Sequence, residues 1–257
     1  MRYACDRRTF LLGTAWTMAV PHLARASGQD LSAPYVPTSP EVVEAMLDLA
    51  ELKPGERLVD LGSGDGRIAI AAARRGAEAL GVELDPRLVR RARTLAEMAG
   101  EGRARFLRAD LFTVSLRDAD VVTLYLLPDV NERLKPKLLH ELRPGARVVS
   151  HAFDMGDWEP DTLRSVAGRR IFRWTVPAVA GGTWRLRGPS GAGALLVIEQ
   201  RYNRVTGTLD GEAITEARLT GASLSFVAGG ARYRGIVGER SIRGDGVEVT
   251  WDADRAD

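Results

Sequence analysis

The run Leu58-Val59-Asp60-Leu61-Gly62-Ser63-Gly64-Asp65-Gly66, followed by Arg67-Ile68-Ala69-Ile70, leaves the folding chain few choices. Leu58 to Leu61 reads as a short buried strand, and Arg67 to Arg74, with four alanines, reads as a helix. The three glycines therefore sit at a strand-to-helix turn. Such a turn is where a nucleotide-like ligand lies in an α/β sheet, because glycine permits a sharp bend and a close approach to backbone, and the helix start offers unpaired N–H groups.

Spacing narrows the ligand. The glycines follow G-x-G-x-G (Gly62, Gly64, Gly66), not the G-x-G-x-x-G of dinucleotide sites, and no Lys-Ser/Thr follows as in a triphosphate loop. The next strand, Ala79 to Leu84, carries Glu83, 23 positions after Asp60. A carboxylate there suits a pair of ribose hydroxyls. With Asp60 and Asp65 the loop is acidic and holds no lysine, which suits a cationic ligand carrying an amino group better than a phosphate. S-adenosylmethionine is such a ligand.

VDLGSGDGRIAIAAARRG followed by GVELDPRLV resembles the class I, seven-stranded, S-adenosylmethionine-dependent methyltransferases. YVPTSPEVVEAML upstream, and LYLLPDVNERLKPKLLHELRPGARVVSHAF with the DW of DMGDWEPD downstream, are similar to the mitochondrial protein-lysine methyltransferases of ATP synthase subunit c and the adenine nucleotide translocase, and to their prokaryotic relatives. The resemblance covers roughly residues 34–165. It implies a Rossmann-like α/β sheet of seven strands, S-adenosylmethionine as cofactor, and a protein lysine as methyl acceptor. It also implies cofactor contacts from Tyr35 and Thr38, in the loop ahead of the first helix, and from Asp110 beyond the third strand, facing adenine.

Around these motifs the chain alternates strands and helices. Thr38 and Glu41 form a T-x-x-E capping box with Pro40 in the first turn, so a helix starts here; a plain capping role for Thr38 stands beside the cofactor contact. A helix is expected over 87–99, strands over 103–107 and 121–126, a helix over 131–142, and a strand over 146–153. Ligands bind beyond the carboxyl ends of such strands, so Tyr125 to Asn131 and the loop Asp154 to Trp158 border the acceptor site. Tyr125, Asp154 and Trp158 are the expected catalytic rim. A tryptophan such as Trp158 is more often a packing residue than a substrate platform, and Asp154 departs from the mitochondrial members, which keep no acid in this loop. His140 reads as a solvated or packed residue at a helix end, and His151 lies at a strand end near the rim. No His-x-x-His spacing exists, so no metal site is expected.

From Gly181 onward the text turns into short alternating segments punctuated by glycine, with Leu224 and Phe226 opposite Ser223 and Ser225. This is a small antiparallel all-β unit, a barrel or a sandwich, over 180–257, after a methyltransferase domain over 27–179. It carries no chemistry of its own and serves either to bind a partner or to cover its neighbour.

The N-terminal residues 1–26 look like a twin-arginine export signal: Arg7-Arg8, Phe10-Leu11-Leu12, a modest apolar stretch to Val20, and Ala24-Arg25-Ala26 before a cut at Ser27. Its removal takes away Cys5, the one cysteine, which fits an oxidising compartment. An uncleaved anchor and a start at Met18 are the other readings. No run of 18 apolar residues is present, so no stable membrane span is expected once the signal is cut. A formal charge of +2 gives no reason to expect a nucleic acid partner, and 33 arginines against three lysines reads as compositional bias. The expected enzyme is thus an exported methyltransferase, although its cofactor is made in the cytosol. The competing readings are a small-molecule O- or N-methyltransferase, and a non-catalytic cofactor-binding or partner-binding protein.

Overall fold

The computed structural model describes residues 36–188, 193–245 and 249–256. Residues 1–26, read above as an export signal, and Tyr35 lie outside them. Helix α1 (Pro40–Leu49) starts on Ser39, whose Oγ accepts from the Val42 N–H at 3.4 Å. The T-x-x-E expectation therefore misplaces the cap by one residue: Thr38 is turned inward instead, onto His151.

Five parallel strands follow: β1 (Arg57–Leu61), β2 (Glu78–Glu83), β3 (Ala104–Arg108), β4 (Val121–Leu124) and β5 (Arg147–His151). β6 (Thr162–Val166) and β7 (Arg169–Thr175) form a hairpin, and β7 runs antiparallel to β5, giving a seven-stranded sheet in the order β3-β2-β1-β4-β5-β7-β6. Strand alternation sends Leu58 to one face and Val59 and Leu61 to the other. The first face is covered by α1, α2 (Arg67–Arg74) and α3 (Pro86–Met98). The alanines of α2, Ala69 and Ala72 fully buried, let that helix lie close to the sheet.

The second face has one helix, α4 (Pro128–Glu141), and is completed by loops whose apolar side chains turn in, Leu116 from 109–120 and Met155 and Trp158 from 152–161. Three expected boundaries shift by two residues or more. Helix α4 begins at Pro128, because a proline suits the first helical position. Strand β4 ends at Leu124 and β5 at His151, where Ala152, with φ 69°, turns the chain away.

The remaining strands, β8 (Gly182–Arg187), β9 (Gly193–Arg201), β10 (Arg204–Leu209), β11 (Glu212–Ala213), β12 (Thr215–Thr220), β13 (Ser223–Ala228), β14 (Ala231–Val237), β15 (Ser241–Gly244) and β16 (Asp252–Arg255), make a second, wholly antiparallel sheet. β16 pairs with β8, and β10 lies beside β12, where the Ile214 N–H donates to Gly207 O at 3.0 Å. The sheet thus curls into a barrel, not a sandwich. Alternation along β13 puts Leu224, Phe226 and Ala228 inside with Trp184 and Ile242, and Phe226 stacks on Tyr233 with ring centroids 4.9 Å apart. The described residues of both sheets form one compact unit.

Candidate active site

The glycine loop joins β1 to α2 at the carboxyl edge of the first sheet. Gly62, Gly64 and Gly66 have φ of +75°, +56° and +81°, a region L side chains avoid. A Cβ on Gly62 would lie 2.7 Å from Leu126, and one on Gly66 would lie 2.5 Å from Phe106. At these two positions a side chain would collide with the protein's own core. Gly81, which sequence reasoning passed over, has the same duty: its Cβ would meet Phe106 at 2.6 Å and Ser63 Oγ at 2.7 Å.

Three carboxylates surround the loop. Asp60, 2% exposed, accepts through Oδ1 from Thr123 Oγ at 2.7 Å, across the β1–β4 pairing, while Oδ2 is buried with no partner. Burial first, and then the charges of Glu83 and Asp65, push its pKa up to about 7, against the pull of Thr123. Glu83 ends β2. Its Oε2 accepts from the Gly64 N–H at 2.9 Å, and Oε1 accepts from the Leu84 and Asp85 N–H groups at 2.8 and 2.9 Å. Three of its roughly four acceptor positions thus hold backbone in place. Buried Asp65 grips the Arg67 guanidinium through both oxygens, at 2.8 and 2.6 Å, and Arg67 also donates to Thr38 O at 2.6 Å. Asp110 is exposed two residues beyond Arg108, the register partner of Glu83, and its Oδ1 accepts from the Phe112 N–H.

The ends of β4 and β5 bring together a second group. The half-buried Tyr125 ring lies 3.9 Å from the His151 ring, tilted by 33°. Nδ1 of His151 is 3.2 Å from Thr38 Oγ, and its Nε2 is buried with no partner. Burial, with a smaller effect from Arg169, lowers the His151 pKa to about 4. Leu127 and Pro128 are exposed beside this pair. Asp154 is exposed, accepting from the Gly156 N–H at 3.1 Å. The loop is held by α4: Asn131 donates to Asp154 O at 3.1 Å, and Lys135 donates to Met155 O at 2.9 Å and pairs with Asp157.

Trp158 does not reach the rim. It is wholly buried, 5.9 Å from Trp174 on one side and stacked at 5.9 Å on Tyr202, which comes from the barrel. Its expected place in a substrate channel is corrected to the core of the second face. His151, Thr123 and Ser63 were not among the expected site residues; Ser63 Oγ is also buried without a partner.

The family model described as the ANTKMT methyltransferase domain matches residues 60–162, which span the loop, the acids and the rim. A protein-lysine N-methyltransferase of Saccharolobus islandicus is 46% identical over 136 residues, 52% of this chain and 84% of that protein. The chain belongs to this family of S-adenosylmethionine-dependent methyltransferases. An adenine nucleotide translocase lysine N-methyltransferase of Mus musculus is 41% identical to the methyltransferase over 63% of its length and 72% of the mouse protein. A crystal structure described as an RNA methyltransferase of Salinibacter ruber, in complex with S-adenosyl-L-homocysteine, matches with TM-score 0.54 and 50% identity over 55% of this methyltransferase and 94% of that chain. The barrel lies outside the residues of the family model.

The residues fit S-adenosylmethionine. An orphaned Asp60 oxygen and an orphaned Ser63 hydroxyl at the loop can take a polar ligand, and Asp60 with Glu83, Asp65 being paired with Arg67, favours one with positive charge.

Proposed function

We propose that this methyltransferase transfers a methyl group from S-adenosylmethionine to the side-chain amine of a protein lysine. The observation that carries the reading is the 46% identity to a protein-lysine N-methyltransferase across 84% of that protein. The glycine loop, with Asp60 and Glu83, holds the cofactor, and Asp110 faces its adenine. When bound there, the cofactor supplies a methyl carbon activated by a positively charged sulfur, open to in-line attack by a nitrogen lone pair.

The protein's part is alignment and the removal of water. A lysine amine carries a proton at neutral pH, with an ordinary pKa of about 10.4, and the protonated form has no lone pair. Desolvation beside Tyr125, Leu127 and Pro128 favours the neutral amine. Exposed Asp154 draws the incoming cation toward the rim and accepts its proton.

A second reading, RNA as the acceptor, has the description of the Salinibacter chain in its favour. One experiment separates the two. The purified enzyme is incubated with methyl-labelled cofactor and the separated protein, RNA and small-molecule fractions of a lysate. Label on lysine side chains supports the proposal. Label confined to RNA or to small molecules overturns it.

We also propose that residues 1–26 direct export. Intact-mass measurement of periplasmic material then finds a chain beginning at Ser27, and replacing Arg7 and Arg8 by lysine retains the protein in the cytosol. Periplasmic export of an enzyme whose cofactor is cytosolic requires a bound or external supply, so a cytosolic chain beginning at Met1 or Met18 overturns this proposal and removes that difficulty.

A further inference from the structure

We propose that His151 receives the acceptor nitrogen, its Nε2 lone pair taking a hydrogen bond from the amine while Thr38 and Tyr125 fix the ring. The assignment rests on the lysine reading above.

His151 is the last residue of β5, one step beyond the Leu124–Ser150 pairing of β4 with β5. Its ring stands at the carboxyl edge, against Tyr125 at the same edge of β4. Three per cent of the residue is exposed, and Thr38, equally buried, engages Nδ1. The ring therefore has one nitrogen tied to the protein and one, Nε2, that is buried with nothing to bind. Leaving such a group unpaired is costly, and an orphan of this kind in a folded core calls for a functional explanation.

The tautomer follows from the same accounting. If Nδ1–H donates to Thr38 Oγ, the orphan at Nε2 is a lone pair; in the reverse arrangement it is an N–H, the rarer and costlier kind of orphan. The groups facing the ring are Tyr125 from β4, Thr38 ahead of α1, and the Arg169 charge at the start of β7. None is a carboxylate, and the imidazole remains neutral. A neutral acceptor does not repel a cationic cofactor. It orients the amine lone pair without taking up its proton. The burial that leaves Nε2 dry also strips water from any amine that reaches it, which lowers the amine pKa.

Two substitutions separate this role from simple support of Thr38. His151→Asn places an amide near the Nδ1 position and can keep the Thr38 contact; His151→Gln places one near Nε2. Using the lysate protein fraction as acceptor, the expected result is that the Gln variant keeps most of the wild-type turnover. The Asn variant loses about tenfold, the value of one oriented hydrogen bond, and both bind S-adenosylmethionine as the wild type does. Asn as active as Gln, or a loss of cofactor affinity that matches the loss of turnover, overturns the assignment. In the unmutated protein, the 15N resonance of His151 Nε2 should be that of an unprotonated nitrogen and should move when poly-lysine is added with S-adenosylhomocysteine. A protonated or unresponsive Nε2 overturns it as well. Wild-type enzyme that labels no lysine overturns the lysine reading and this assignment together, whereas lysine labelling with equal Asn and Gln variants overturns the assignment alone.

Discussion

Asp60 and Glu83 are both acids beside one loop, but the structure uses them differently. Asp60 holds its proton more tightly in the folded chain than in the unfolded one, because burial and the neighbouring acids raise its pKa to about 7. The unfolded chain gives that proton up near pH 4, so folding stability falls as pH rises from about 4 to about 7 and is level above that. Asp60→Asn removes this slope, and without cofactor the variant is the more stable of the two above pH 7; thermal melts across pH check this. A cationic ligand favours the ionised acid, so wild-type cofactor affinity rises through the same window with release of a proton. Calorimetry in two buffers of different ionisation heat reads that proton. Affinity and stability both flat from pH 5 to 8 would refute the assignment. The place of Glu83 beside the glycine loop was legible from its distance to Asp60, since strand, turn and helix lengths fix that spacing. Its hold on Gly64, Leu84 and Asp85 was not legible, because backbone N–H directions are absent from a sequence. Glu83→Ala therefore loosens the loop as well as a ligand contact, and a weakening of S-adenosylmethionine binding by about 1–3 kcal/mol is expected from titration calorimetry.

Elements were legible where local chemistry decides them. Helix α2 runs Arg67–Arg74 as its alanines and preceding glycines required. The first cap was ambiguous, because Thr38 and Ser39 are both capping residues; the contact that settles it, Thr38 with His151, spans 113 positions. Trp158 was misplaced for the same reason: its partners Trp174, in β7, and Tyr202, in the β9–β10 turn, lie 16 and 44 positions away, and only the completed fold brings them over it. The loop that carries Trp158 takes the place of a helix and is fastened by α4. Burial opposes the charge on Lys135, but Asp157 and Glu132 outweigh it and hold the ammonium above its ordinary range. Removing the amine leaves Met155 O without its donor and takes one of three donors from the Asp157 carboxylate, which keeps Arg201 and Tyr202. Both acids are near half exposed, so water takes up part of the loss. Lys135→Met should cost about 1–3 kcal/mol in urea unfolding, below the usual penalty for breaking a fully buried pair. An unchanged midpoint would mean that the loop is held by Asn131 and the Trp158 packing alone.

At the scale of the whole molecule, alternation along the last third announced antiparallel strands but did not distinguish barrel from sandwich. Closure depends on β16 returning to β8, a pairing set by no local motif. Nor did the pattern announce how the barrel meets the first sheet. The β9–β10 turn supplies the join: Tyr202 stacks on Trp158 and donates to Asp157 at 2.9 Å, Arg201 pairs with Asp157, and Asn203 donates to Asp161 at 2.9 Å. A second approach is that of Gly221, where an added Cβ would lie 3.1 Å from Gly145 Cα and 3.7 Å from the Thr175 side chain. The aromatic ring of Tyr202 thus completes a hydrophobic cluster that belongs to the methyltransferase sheet. Its removal opens a space over Trp158, and because Tyr202 is only half buried the loss should be about 2 kcal/mol, less than for a fully buried aromatic. If the two sheets unfold as one cooperative body, Tyr202→Ala shifts a single calorimetric transition and leaves its shape intact. If the barrel is independent, two transitions separate and only the methyltransferase one moves. Scanning calorimetry of wild type and variant decides between them, and in the cooperative case the barrel acts as the missing cover of the second face, holding in place the loop that frames the acceptor rim.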